Sequence, residues 1–242
     1  MTPYLKSVTV TGADDSVAPD DLLVLAKEYP YAEFGLLLSR NSMGRTRFPS
    51  AAWLRDAVAT IGGRVQCSGH LCGSWVREIL LGRWPKWDFF EIDEILLGLF
   101  DRWQINTHGI PHEYDWPKFR SILRELTAAG QEVIFQYDKA NTEILRLAVD
   151  EGFRVSALYD LSHGAGIVPD RWEKPAVSCY TGYAGGLSPT NVEEHLPQIA
   201  RIAEGAPAWI DAETHLRSED GRTFDRTKVA AFLGAAREWV RR

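Results

Sequence analysis

Eight β-forming runs that alternate with stretches of helical spacing constrain this chain more than any other feature of its sequence. The runs fall at 7–11, 34–38, 64–67, 103–106, 132–137, 155–159, 178–182 and 208–211. The amphipathic stretches fall at 19–28, 51–61, 73–81, 88–100, 116–129, 142–151, 190–204 and 226–241. A helix between successive strands points to parallel pairing, because parallel neighbours need a long crossover whose helix then covers the sheet. Eight such units in 242 residues predict an α/β fold, a (β/α)8 TIM barrel of a single domain over residues 1–242, with its active site at the C-terminal ends of the strands. A doubly wound open sheet alternates in the same way, and periodicity alone leaves it open. No linker, low-complexity block or charge run divides the chain.

Charge narrows the partners. With 27 basic and 33 acidic residues the net charge is −6, which argues against a nucleic-acid surface or an anionic membrane surface. No run approaches the roughly 18 apolar residues of a membrane span, and Met1 to Lys6 lacks a signal core, so a cytoplasmic protein is expected. Cys67, Cys72 and Cys179 cannot all pair within one chain and show no repeated CxxC spacing, which suits free thiols in a reducing compartment. No cofactor is expected; the expected partner is a small molecule, with a homodimer as the candidate assembly.

The chemistry concentrates in the last third. Asp160-Leu161-Ser162-His163-Gly164-Ala165-Gly166 follows one strand, and Ala184-Gly185-Gly186-Leu187-Ser188-Pro189 follows the next. Glycines let backbone N–H groups approach an anion, and a helix N-terminus adds unpaired donors and the positive end of its dipole. Ser188 suits an N-cap and Pro189 a first helical position, so the two turns predict a phosphate cradle at Gly164, Ala165, Gly166, Gly185 and Gly186.

These residues resemble the phosphoribosylanthranilate isomerase family, (β/α)8 enzymes of tryptophan synthesis. The family has an Asp ending strand six, a Gly-Gly-Thr-Gly loop, an Ala-Gly-Gly-Leu-x-Pro-x-Asn-Val turn and an acidic strand eight. Here stand Asp160, Gly164-Ala165-Gly166, Ala184 through Val192, and Trp209-Ile210-Asp211, then Phe224-Asp225 with Lys228 and Phe232 beyond. The resemblance implies that Asp160 is a general acid that opens a sugar ring, and that one of Arg40, Arg45 and Arg47, in the loop after strand two, reaches over the pocket and grips a carboxylate or phosphate. Thr9-Val10-Thr11-Gly12 stands where the family has Lys-Ile-Cys-Gly, so Thr11 replaces the cysteine base, and a hydroxyl is far too weak an acid for that duty. Glu213-Thr214-His215 replaces a small phosphate turn, and Glu213 would repel phosphate if it pointed inward. A relative with a different substrate or reaction is therefore expected.

Other polar residues at strand ends predict a polar ligand, since barrel interiors ordinarily take branched apolar side chains. His70, Asn106, His108 and Gln136 are candidate ligand contacts, and Trp172 a candidate pocket wall. Asp160 and Asp138, on neighbouring strand ends, could divide acid and base work, with Glu213 a third candidate, whereas Asp211 reads as structural. Three functions remain: isomerisation or aldol-type cleavage of a phosphorylated, sugar-like metabolite; ligand binding without catalysis; and metal-dependent hydrolysis or lysis through His70, Cys72 and His108.

Overall fold

A computed structural model describes residues 2–84, 98–107, 113–160 and 165–241. Eight parallel strands close into a barrel in sequence order: β1 Leu5–Thr11, β2 Ala32–Leu38, β3 Gln66–Leu71, β4 Arg102–Ile105, β5 Glu132–Tyr137, β6 Val155–Asp160, β7 Tyr180–Ala184 and β8 Ala208–Ala212, with β8 returning to pair β1. Outside lie α1 Pro19–Glu28, α2 Ala51–Ile61, α3 Ser74–Leu80, α4 Trp116–Ala128, α5 Thr142–Asp150, α6 Val192–Ala203 and α7 Arg226–Ala236. The barrel is thus the fold that the alternation predicts, and the open doubly wound sheet is excluded. Most of the helix expected at 88–100 lies outside the described residues. None of the described helices is long and apolar enough to cross a membrane.

Alternation along each strand builds two environments. Outward residues such as Val8, Val10, Phe34, Trp103, Ile105 and Phe135 form the main core against the helices. Inward residues are mostly polar, apart from Leu37 beside the cavity and a small plug of Ile134, Leu158, Ala184 and Trp209. Gly182 on β7 makes room for that plug, because a Cβ there would overlap the Trp209 indole of β8.

Below the plug lies a buried ion cluster. Arg102 on β4 donates from Nη2 to Glu33 on β2 at 2.7 Å and from Nη1 to Glu132 on β5 at 3.4 Å. Thr9 on β1 donates to Glu33 and Ser156 on β6 to Glu132, while the guanidinium lies 4.5 Å from the Trp209 ring centre. Arg102 holds Glu33 below the usual carboxylate range against the opposing effect of burial. Charges taken from water must be paired and hydrogen-bonded; here both Nη atoms of Arg102 are met by carboxylates, while its Nε is buried without a hydrogen-bond partner.

Several boundaries differ from the sequence reading. The strand expected at 64–67 runs instead as Gln66–Leu71, and the one at 178–182 as Tyr180–Ala184. The expected helix at 190–204 begins at Val192. Ser188 is not its cap: the Asn191 side chain accepts from Ser188 N and donates to the Gly186 carbonyl, so residues 188–191 form a turn ahead of the helix.

Candidate active site

The C-terminal ends of the strands surround a cavity of about 260 Å³. Thr11, His70, Gln104, Asn106, Gln136, Asp160 and Asp211 line its floor and walls from inside the barrel, and Gly166, Gly185, Gly186, Glu213, Thr214 and His215 line its rim.

Two carboxyl groups from neighbouring parts of the barrel line the cavity. Asp160 pairs in register with Ala184, and Ala184 with Asp211, so the two lie two strands apart. Gln136 Nε2 donates to Asp160 Oδ2 at 3.1 Å, and Thr11 Oγ1 donates to Asp211 Oδ1 at 2.7 Å. Burial pushes the Asp211 carboxyl up to about 8; Thr11 opposes the shift, and the charges of Glu213, Glu33 and Asp160 add to it. Asp211 therefore keeps its proton at neutral pH, the state in which a carboxyl group can donate.

Glu213 does face the cavity, and its charge is met on the β1 side. Arg47, from the loop between β2 and α2, donates Nη1 to Glu213 Oε1 at 3.1 Å. Its own N–H donates to Asp14 Oδ2 at 2.6 Å, and Asp14 also pairs at 2.7 Å with the fully buried Arg217. Arg47 holds φ of 75°, a conformation that disfavours side-chain-bearing residues, so local strain helps to aim this guanidinium. Burial raises the Glu213 carboxyl, opposed by Arg47 and then Arg217.

The opposite rim is made of backbone. Gly185 and Gly186 hold φ of 120° and 61°, and a Cβ on Gly186 would come within 2.7 Å of Ile167 C. These glycines thus admit the loop after β6 as well as the cavity. Among the described residues no hydrogen bond within the protein engages the N–H of Gly185, Gly186, Thr214 or His215. The His215 Nε2 lies 2.9 Å from the Gly166 carbonyl oxygen and ties the two loops together.

The β3–β4 wall carries neutral groups. Gln104 Nε2 donates to Asn106 Oδ1 at 2.8 Å, and Asn106 Nδ2 to Cys72 Sγ at 3.2 Å. Burial pushes the Cys72 thiol up to about 12, so it stays protonated. Burial lowers His70 to about 4, with Ser68 Oγ 3.0 Å from its Nε2. Among the described residues no group of three or more His, Cys, Asp or Glu is arranged to hold a metal ion.

The cavity brings together Asp160, Glu213, Ala184's glycine neighbours Gly185 and Gly186, Gly166, His70, Asn106 and Gln136. Ala165 is described but does not line it, and Gly164 and His108 lie outside the described residues. Three expectations need correction. Arg40 turns outward to Glu78 on α3 at 3.1 Å. Asp138 accepts from Ala140 N and Asn141 N at 2.8 and 2.9 Å, capping a short helix, Lys139–Asn141. Trp172 packs edge-on against Tyr183 and near His195 instead of facing the cavity. Asp211, read as structural, belongs to the site; the alternation Trp209, Asp211, Glu213 was the signal, since period two points all three inward. Arg47 was one of three candidate arginines in the loop after β2, and the loop conformation, not the sequence, selects it.

A closed barrel of eight parallel strands, with a polar cavity at their C-terminal ends, defines the class: a (β/α)8 barrel. Solved structures with this fold include phosphoribosyl anthranilate isomerase from Thermus thermophilus, with TM-score 0.60, 18% identity and coverage of 96% of this chain and 98% of that one. The isomerase from Thermotoga maritima gives TM-score 0.57 at 15% identity over 98% and 100%. The tryptophan synthase α-subunit of Pyrococcus furiosus gives 0.53 at 13% over 97% and 100%. At such identities the likeness is one of fold. No family model matches the sequence, and no curated protein matches it.

Proposed function

We propose that the protein is an enzyme that moves protons on a small phosphorylated, sugar-like metabolite, by isomerisation or aldol-type cleavage. The observation that carries this reading is the polarity of the cavity. Unengaged backbone donors of Gly185, Gly186, Thr214 and His215 stand at one rim, and carboxyl and amide side chains fill the floor. Phosphate suits the first end, where the charge of the neighbouring Glu213 is met by Arg47. Hydroxyl groups suit the second. A cavity of about 260 Å³ limits the ligand to about the size of a small sugar phosphate.

Asp211, protonated below about pH 8, supplies a proton, and Asp160, two strands away on the same cavity, takes one. This reverses the duty that the isomerase resemblance implies for Asp160 and moves the acid to β8. Thr11 is no base; its hydroxyl orients Asp211.

Thermal stabilisation by inorganic phosphate, ribose 5-phosphate, the carboxyphenylamino-deoxyribulose phosphate and their unphosphorylated counterparts tests the reading. Ligand at a hundred times its dissociation constant adds about 2.7 kcal/mol. Stabilisation confined to phosphorylated members supports the phosphate end, and Asp160→Asn or Asp211→Asn should then abolish turnover while binding persists. Stabilisation by neutral sugars alone, or by none, refutes it.

A further inference from the structure

The glycine rim and the acid–base pair belong to β6, β7, β8 and the loops after them. Strand order places β4 directly across from β8 in the closed ring of eight. Gln104 stands on β4, in register with His70 of β3 and Ile134 of β5, and it lines the cavity although only 4% exposed. A carboxamide so deeply set has its polar atoms matched by the protein or by what fills the cavity.

The direction of that carboxamide follows from hydrogen counting along three hydrogen bonds. Cys72 Sγ lies 3.5 Å from the His70 carbonyl oxygen, which can only accept, so the thiol hydrogen is committed there. The sulfur then accepts from Asn106, 3.2 Å away, which fixes Nδ2 on the Cys72 side and turns Oδ1 toward Gln104. Oδ1 can only accept, so Gln104 meets it with Nε2, at 2.8 Å. Gln104 Oε1 is left over. Among the described residues it accepts no hydrogen bond, and it is not sealed from solvent either, so its opening is onto the cavity that Gln104 lines.

We infer that Gln104 is a specificity-determining residue: its Oε1 is a fixed acceptor on the β4 wall, aimed by Asn106 and Cys72, and it selects ligands that present a hydroxyl or N–H donor there. Asn106 is the positioning residue and Gln104 the group that touches the ligand. The inference deepens the reading proposed above and rests on the cavity's being a ligand site, but not on the ligand's carrying phosphate. Where the ligand does carry phosphate, the donor lies at its far end, because the glycine rim and Gln104 stand on opposite walls. A ligand without the donor leaves the carbonyl unmet once water has been displaced, a loss of about tenfold in affinity.

The test is NMR of the full chain with 13C and 15N in its glutamine side chains, with Gln104→Met identifying the Gln104 signals. Without ligand, one Nε2 hydrogen should exchange slowly with solvent. Asn106→Leu should abolish that protection, and Asn106→Asp, which keeps an acceptor facing Gln104, should retain it. Fast exchange of both Nε2 hydrogens in the native chain overturns the inference before any ligand is added. Inorganic phosphate, D-ribose and D-ribose 5-phosphate are the probes. A bound sugar should move the Gln104 Cδ resonance, and inorganic phosphate should not. Gln104→Met should weaken ribose 5-phosphate about tenfold while inorganic phosphate keeps its affinity. A bound sugar that leaves Cδ unmoved, or an equal loss for sugar and phosphate, overturns the inference and leaves the phosphate reading intact. Binding of D-ribose equal to that of its phosphate, with Cδ moved, refutes the phosphate reading and leaves this one standing; binding of neither sugar removes both.

Discussion

Asp211→Asn exchanges a buried carboxyl for a neutral group of the same shape, and Thr11 Oγ1 can donate to either side chain. In the native chain the Asp211 carboxyl keeps its proton to about pH 8, whereas in the unfolded chain it releases it near the ordinary value of 3.8. Between those limits the unfolded state binds fewer protons, so stability falls as pH rises, by at most about 1.4 kcal/mol per pH unit. The contribution is fully present below 3.8 and lost once pH passes about 8. At pH 7 the ceiling is about 4 kcal/mol, and local relaxation with water entry brings the expected penalty to about 2 kcal/mol. The Asn variant escapes it. Urea denaturation of both proteins between about pH 4 and about pH 8 should show equal stability at the acid end and a variant advantage that widens with pH. A difference that does not change with pH, or a variant that is the less stable at the alkaline end, refutes the argument. The gain should come with lost turnover, since a site that destabilises its own fold does so for its chemistry.

Arg47→Ala should cost about 1 kcal/mol at neutral pH by leaving Glu213 without its partner, and less in acid, where Glu213, already raised, takes up a proton. Arg47→Gly loses the same pair but relieves about 1 kcal/mol of backbone strain, so it should melt above the Ala variant in a thermal scan. Gly182→Val forces a side chain into the Trp209 indole and should cost about 3 kcal/mol, with a changed near-ultraviolet dichroism from Trp209. Asp138→Ala removes a helix cap worth about 1 kcal/mol yet should leave any ligand-induced melting shift unchanged, because Asp138 stands outside the cavity.

The barrel was legible because outward residues carry the apolar alternation, and that signal is local. It faded where inward residues are polar. Ser68, Gly69 and His70 read as a loop after a strand ending at 67, although they form the second half of β3, their polarity belonging to the cavity and not to solvent. Gly182 suggested a strand end, when its lack of a side chain is what seats Trp209. The motif around Asp160 and Gly185-Gly186 led directly to the cavity. Arg40 and Arg47, seven residues apart in one loop, could not be told apart by sequence, because a single positive φ sends one of them across the mouth. Asp138 and Asp160 also look alike as strand-final acids. One has backbone N–H groups two and three residues ahead to cap, and the other has Gln136 beside it in the barrel wall.

Arg102 has a consequence for how this barrel can be divided. A fragment that ended after β4 would keep Arg102 and Glu33 but lose the Trp209 ring over the guanidinium, and the complementary fragment would hold Glu132 without its buried cation. Neither half can seal its interior, since one loses the ring that covers its guanidinium and the other keeps a buried charge whose counterpart resides in the first. The two halves are therefore bound into one cooperative unit, and a duplicated or transplanted half would need new partners at these positions before it could stand alone.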